Sequence, residues 1–174
     1  MNTTPDPLLQ SVTTTAINPA LQLLPPVMDS AAARVLLLAI GLQESGLQLR
    51  RQRGNGPARS LWQFELGSQL RGGGIWGVFL HDSSRGLLQQ LCDARHCAFI
   101  PSSIYSAIEI DDVLAAGLAR LLIFTDRAPL PALSDVDGAW VLYSQRTWVP
   151  GKPRPADWPS NYARAMRFVQ GGAQ

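Results

Sequence analysis

Charge is scarce in this sequence. Asp, Glu, Lys and Arg make up 16% of its 174 residues and sum to +2, too weak a bias to mark a nucleic-acid partner. Histidine is limited to His81 and His96, and neither stands at a metal-ligand spacing, so no metal site is expected. The two cysteines, Cys92 and Cys97, are separated by four residues, a gap that fits no zinc or redox motif. A small-loop disulfide and a pair of free, partly buried thiols are both compatible with it. Gly72-Gly73-Gly74 has neither the lysine nor the following serine or threonine of a phosphate loop, and no cofactor is expected. No apolar run is long enough to cross a bilayer, which excludes stable membrane insertion by a helix. The first residues lack the basic and apolar regions of a secretory leader. Strand alternation is also sparse, and this points to a mainly α fold with little or no sheet.

What is present is helical patterning broken by proline and glycine. Residues 1–28 carry Pro5, Pro7, Pro19, Pro25 and Pro26, so they are expected to form an extended surface arm with at most one short helix near 19–24. Residues 29–172 are expected to make one domain. Asp29 or Ser30 can cap a helix over about 31–45 that is apolar on nearly every face and therefore central, with Gly46 ending it. Residues 47–60 read as a basic loop turning at Gly54-Asn55-Gly56-Pro57, and 61–65 are too short to assign. The glycines at 72–77 suggest a mobile flap. Further helices are predicted over 83–94, from 101, over about 110–122 and from a cap at Ser134. The last is capped by Ser160 after a proline-rich stretch that forbids regular structure. The helix at 110–122 is expected to pack on the central one.

Glu44 is the leading candidate for chemistry. At the C-terminal end of a buried helix, the helix dipole and apolar neighbours both disfavour its charged form and raise its pKa. A carboxyl group held protonated near neutral pH is suited to general-acid cleavage of a glycosidic bond. Without further context, a surface glutamate closing a helix is the commoner occurrence of Glu-Ser-Gly.

The spacing of three segments adds that context. Glu44-Ser45, then Ser60-Leu61-Trp62-Gln63, then Tyr143 about eighty residues later together resemble the lytic transglycosylase and goose-type lysozyme family. In that family a Glu-Ser pair ends a buried helix, a Gly-Leu-Met-Gln segment follows, and a Tyr-Asn-Ala-Gly segment comes later. Here serine replaces glycine, tryptophan replaces methionine, and Tyr143-Ser144-Gln145-Arg146 keeps only the tyrosine.

The resemblance implies a lysozyme-like helical domain that cleaves peptidoglycan glycan strands between N-acetylmuramic acid and N-acetylglucosamine. Glu44 would be the acid/base, Ser45 would orient a sugar or the carboxylate, Gln63 would bind a substrate amide, and Tyr143 would hydrogen-bond near Glu44. Each has a structural alternative: a helix-end hydroxyl for Ser45, a buried amide for Gln63, a core ring for Tyr143. Trp62 and Phe64 suit sugar stacking, although alternation turns both to one side and at least one belongs to the core. A lytic transglycosylase works with one glutamate and a lysozyme needs a second carboxylate, for which Glu65 is the best placed. A cell-wall substrate without a secretory leader fits a phage protein, either an endolysin or an enzyme carried in the virion among other virion proteins. A non-catalytic glycan-binding protein, and a partner-binding role for Arg50, Arg51, Arg53 and Arg59, remain open alternatives.

Overall fold

The computed structural model describes residues 6–149, 151 and 153–172. The chain is mainly helical, as expected. Among the described residues no strand forms, only isolated antiparallel bridges such as Arg59 with Phe64.

The N-terminal segment departs from the expected arm. α1 (Pro7–Val12) runs through a π-helical turn (Thr13–Ile17) into α2 (Asn18–Gln22). Its apolar residues Leu9, Val12, Ala16, Ile17, Ala20 and Leu21 are buried, and the segment packs on α7 (Asp112–Phe124). Two local features reconcile this with the prolines. Pro7 occupies the first turn, where a missing N–H costs nothing, behind an Asp6 cap whose carboxylate accepts from Leu9 N at 3.2 Å. Pro19 is the second residue of α2, one past the wide π turn whose capping Asn18 N donates to Thr13 O, so its ring falls where the ordinary α-helical pairing is already interrupted. Residues 1–5 of the expected arm lie outside the described residues.

The central helix α3 (Ala31–Ser45) matches its expected bounds. Ser30 Oγ accepts from Ala33 N at 3.2 Å, and Gly46 closes the helix with φ +66°. From Val35 to Leu42 every residue is buried, so the helix is enclosed on all sides and burial, rather than an amphipathic stripe, holds it. Its main neighbour is α9 (Trp158–Gly171), with α7 a lesser contact than expected. Within α7 the expected stripe holds except at Ile110, which precedes the helix and is exposed.

α4 (Gly74–Leu80) replaces the expected flap, with Ile75 and Val78 buried beneath it. The glycines here allow close backbone packing: a Cβ on Gly74 would stand 2.1 Å from Glu65 O, and one on Gly67 would stand 2.0 Å from Gly73 O. α5 (Asp82–Ala94) and α6 (Pro101–Ala107) form as expected. Cys92, in the last turn of α5, and Cys97, between the two helices, are both free thiols.

α8 (Val136–Val141) is capped one residue later than expected, by Asp135, whose carboxylate accepts from Gly138 N at 2.9 Å. It continues as a π-helical turn, Leu142–Thr147. The proline-rich stretch contains a short 3-10 turn, Pro155–Asp157, and α9 starts before Ser160, with Pro159 in its first turn. Pro150 and Lys152 in that stretch lie outside the described residues.

Candidate functional site

The end of α3 is built by close contact with the segment that follows it. Leu47 folds back with φ +56° and is buried, and its N–H donates to Gly41 O at 3.1 Å. A Cβ on Gly41 would lie 2.2 Å from Leu47 Cδ2 and 3.3 Å from Trp62 Nε1. Glycine at 41 is therefore what lets the chain return along the last turn of α3 and bring residues 60–63 beside Glu44-Ser45.

Ser45 and Gln63 hold that turn together. Ser45 Oγ donates to Leu61 O at 2.6 Å and accepts from Leu47 N at 3.1 Å. Gln63 Nε2 donates to Ser60 O at 2.8 Å and to Leu49 O at 3.0 Å. Both amide hydrogens are thus engaged within the protein, and only the carboxamide oxygen is left to meet a substrate N–H. Ser60 and Gln63 both have left-handed backbone, φ +70° and φ +50°, a conformation that costs a non-glycine residue about 1 kcal/mol.

Trp62 is a core residue. It is fully buried, its Nε1 donates to Leu37 O at 2.8 Å, and its own carbonyl accepts from Trp148 Nε1 at 3.0 Å. Phe64 is buried as well, 5.6 Å from the Trp148 ring. Neither ring is a sugar-stacking wall, because the turn 60–63 points both of them inward against α3 and Trp148. Glu65 is exposed; its backbone carbonyl receives the start of α4 by accepting from Ile75 N at 3.1 Å.

Glu44 and Tyr143 come together across 99 residues: Tyr143 Oη donates to Glu44 Oε1 at 2.5 Å. Tyr143 is buried in an aromatic cluster. It stacks on Trp158 at 5.1 Å with an 11° interplanar angle, and Trp140 and Trp148 lie within 5.9 Å. Trp158 Nε1 donates to Val136 O at 3.1 Å, which ties α9 to α8 and fixes the ring on which Tyr143 rests. The π turn that carries Tyr143 is held by Trp148 N donating to Tyr143 O at 2.9 Å and by Thr147 Oγ1 donating to Leu142 O at 2.8 Å. Trp148 and Trp158 stand outside every motif that the sequence offers. Their signal was position beside a proline-rich stretch, which says loop but not that the rings turn inward.

Glu44 itself is half-buried, so part of it reaches solvent. Burial pushes its carboxyl from an ordinary 4.5 up to about 7, partly offset by the Tyr143 hydrogen bond, which favours the charged form. The same burial, with the neighbouring carboxylate, raises Tyr143 well above the usual phenol range and keeps it a neutral donor.

The basic loop is anchored. Arg50 Nε pairs with Asp112 at 2.9 Å, while Arg51 and Arg59 converge on Glu109 at 2.9 and 3.0 Å. Arg59 also lies over the Tyr105 ring, whose hydroxyl donates to Pro57 O. These pairs fasten the 47–60 loop to the segment leading into α7, and Arg53 at its tip is exposed and forms no ion pair among the described residues. Two cavities form around the C-terminal end of α7, and neither is lined by Glu44, Gln63 or Tyr143. Among the described residues no group of His, Cys, Asp and Glu is placed to hold a metal ion, and no helix is long and apolar enough to cross a membrane.

Neither the family models, the curated proteins nor the solved structures compared with this chain gave a match.

Proposed function

We propose that this protein cleaves the glycan strand of peptidoglycan between N-acetylmuramic acid and N-acetylglucosamine, as a lytic transglycosylase with a single catalytic glutamate. The observation that carries this reading is the Glu44–Tyr143 pair: a half-buried carboxyl, protonated up to about pH 7, with one oxygen fixed at 2.5 Å by a neutral phenol. Because Tyr143 donates to Oε1, Oε2 is the oxygen that would carry the acid proton to the substrate. Glu44 delivers that proton to the glycosidic oxygen as the bond to the muramoyl C1 breaks. The muramoyl C6 hydroxyl then bonds to C1, its proton passes to the Glu44 carboxylate, and a 1,6-anhydro ring forms without consuming water. Tyr143 steadies the carboxylate between these two steps.

Supporting the single-glutamate route over hydrolysis is the exposed position of Glu65, the acidic residue next to the 60–63 turn in sequence. Further support for the family resemblance comes from Ser60: it stands where the family motif has glycine, and its φ of +70° is the backbone that glycine adopts without cost. A phage origin, as an endolysin or a virion-carried enzyme, accords with a cell-wall substrate and belongs to the same proposal.

A second reading, a non-catalytic structural protein on the same scaffold, is favoured by the internal engagement of Ser45, Gln63 and Trp62. Clearing of a cell-wall suspension separates the two. Wild-type protein should clear it and a folded Glu44→Gln variant should not; equal rates, or no clearing by either, would remove the catalytic reading.

A further inference from the structure

Arg120 is a charged residue that the glycan reading does not use. It lies in the apolar helix α7, is only 5% exposed, and donates from Nε to Met28 O at 2.9 Å. Its Nη1 is buried and finds no hydrogen-bond partner among the described residues. A buried guanidinium edge without a partner is costly, and desolvation holds its pKa below the usual arginine value. The same side chain lines a cavity of about 390 Å³ whose wall includes Ile123, Phe124, Asp126, Arg127 and Leu130.

The charges around this cavity do not cancel. Asp29, the acidic residue whose field reaches Arg120, is held on both oxygens by Arg34, at 2.7 and 2.8 Å. Asp126 is held by Arg146, with Nε at 2.6 Å from Oδ2. Each carboxylate therefore has its own arginine, while Arg127 forms no ion pair among the described residues. Arg120 and Arg127 are left as two positive charges beside an apolar wall.

We propose that this cavity binds a small organic carboxylate, its oxygens on the Arg120 guanidinium and its apolar part against Phe124 and Leu130. A planar guanidinium edge matches a carboxylate in two parallel hydrogen bonds. Nη1 has no solvent-accessible surface, so binding requires the guanidinium to move toward the cavity that it already lines. The site rests on none of the observations at Glu44 and stands independently of the glycan reading.

Titration of the full chain with acetate, 3-phenylpropionate and inorganic phosphate, followed by the Arg120 Nε–Hε NMR signal, tests the proposal. Saturable movement is expected with both carboxylates, with 3-phenylpropionate binding more tightly than acetate at a Kd of about 1 mM or below, and phosphate binding more weakly than either. Arg120→Gln, read instead by the backbone amide signals of residues 123–130 that border the cavity, should abolish saturable binding. Because that variant also loses the Met28 hydrogen bond, Arg127→Gln on the exposed loop serves as the folded control, with affinity expected to fall severalfold. No saturable movement with either carboxylate, tighter binding of phosphate, or unchanged affinity in the Arg127→Gln variant would overturn the proposal.

Discussion

Replacing Glu44 with glutamine is expected to stabilise the fold at pH 8 and leave its stability unchanged at pH 4. The folded protein holds the Glu44 proton up to about pH 7, whereas the unfolded chain releases it near 4.5. Between those values the unfolded state binds fewer protons, so stability falls as pH rises, and the loss is complete above pH 7. Below 4.5 both states are protonated and the penalty vanishes. A carboxyl raised from 4.5 to about 7, at about 1.36 kcal/mol per pH unit, carries about 3 kcal/mol. Solvent at the exposed edge of the side chain reduces this to about 2 kcal/mol. Glutamine keeps an oxygen for Tyr143 and removes the titration. In a chain of this length the gain should raise Tm by roughly 4–8 °C at pH 8, read by thermal unfolding of both proteins across the pH range. A variant no more stable than wild type at pH 8, or more stable by the same amount at pH 4, would refute the reasoning.

Three further outcomes follow from contacts around the same residue. Tyr143→Phe removes the hydrogen bond that favours the carboxylate, so Glu44 should titrate above about 7; a downward move of its side-chain carboxyl NMR signal midpoint would contradict this. Trp62→Ala should cost about 3–5 kcal/mol in urea unfolding, because a fully buried ring bonded to Leu37 O is lost. A variant of wild-type stability that merely loses glycan affinity would restore Trp62 to the sugar wall. Gly41→Ala should destabilise by about 1–3 kcal/mol through the clash with Leu47, against the gain of about 1 kcal/mol that alanine brings to an ordinary helix; a more stable variant would argue against the tight return of the chain.

How much could be read before the fold was known varied with the range of the interaction responsible. The bounds of α3 are local, a serine cap and a left-handed glycine around an apolar run, and they were legible. The pairing of Glu44 with Tyr143 is not local, and only a resemblance of spacing to a known family, rather than any period in the residues between, pointed to it. The N-terminal helix was hidden because prolines were counted as breakers, while one of them occupies a first turn and the other follows a π turn. The inward direction of Trp62 depends on the left-handed backbone at Ser60 and Gln63, which no side-chain pattern announces. The arginines of the 47–60 loop looked free because their acidic partners, Glu109 and Asp112, stand about sixty residues on. Arg120 was missed for a different reason: one charge in a helix as apolar as α7 does not disturb its period, and only the folded surroundings show its Nη1 without a partner.

The central claim is chemical, and the products decide it. Purified peptidoglycan digested with the wild-type protein and analysed by mass spectrometry should yield 1,6-anhydro-muropeptides, and the Glu44→Gln variant should yield none. Muropeptides with free reducing ends would assign hydrolysis instead, and intact glycan in both digests would contradict a catalytic role for Glu44.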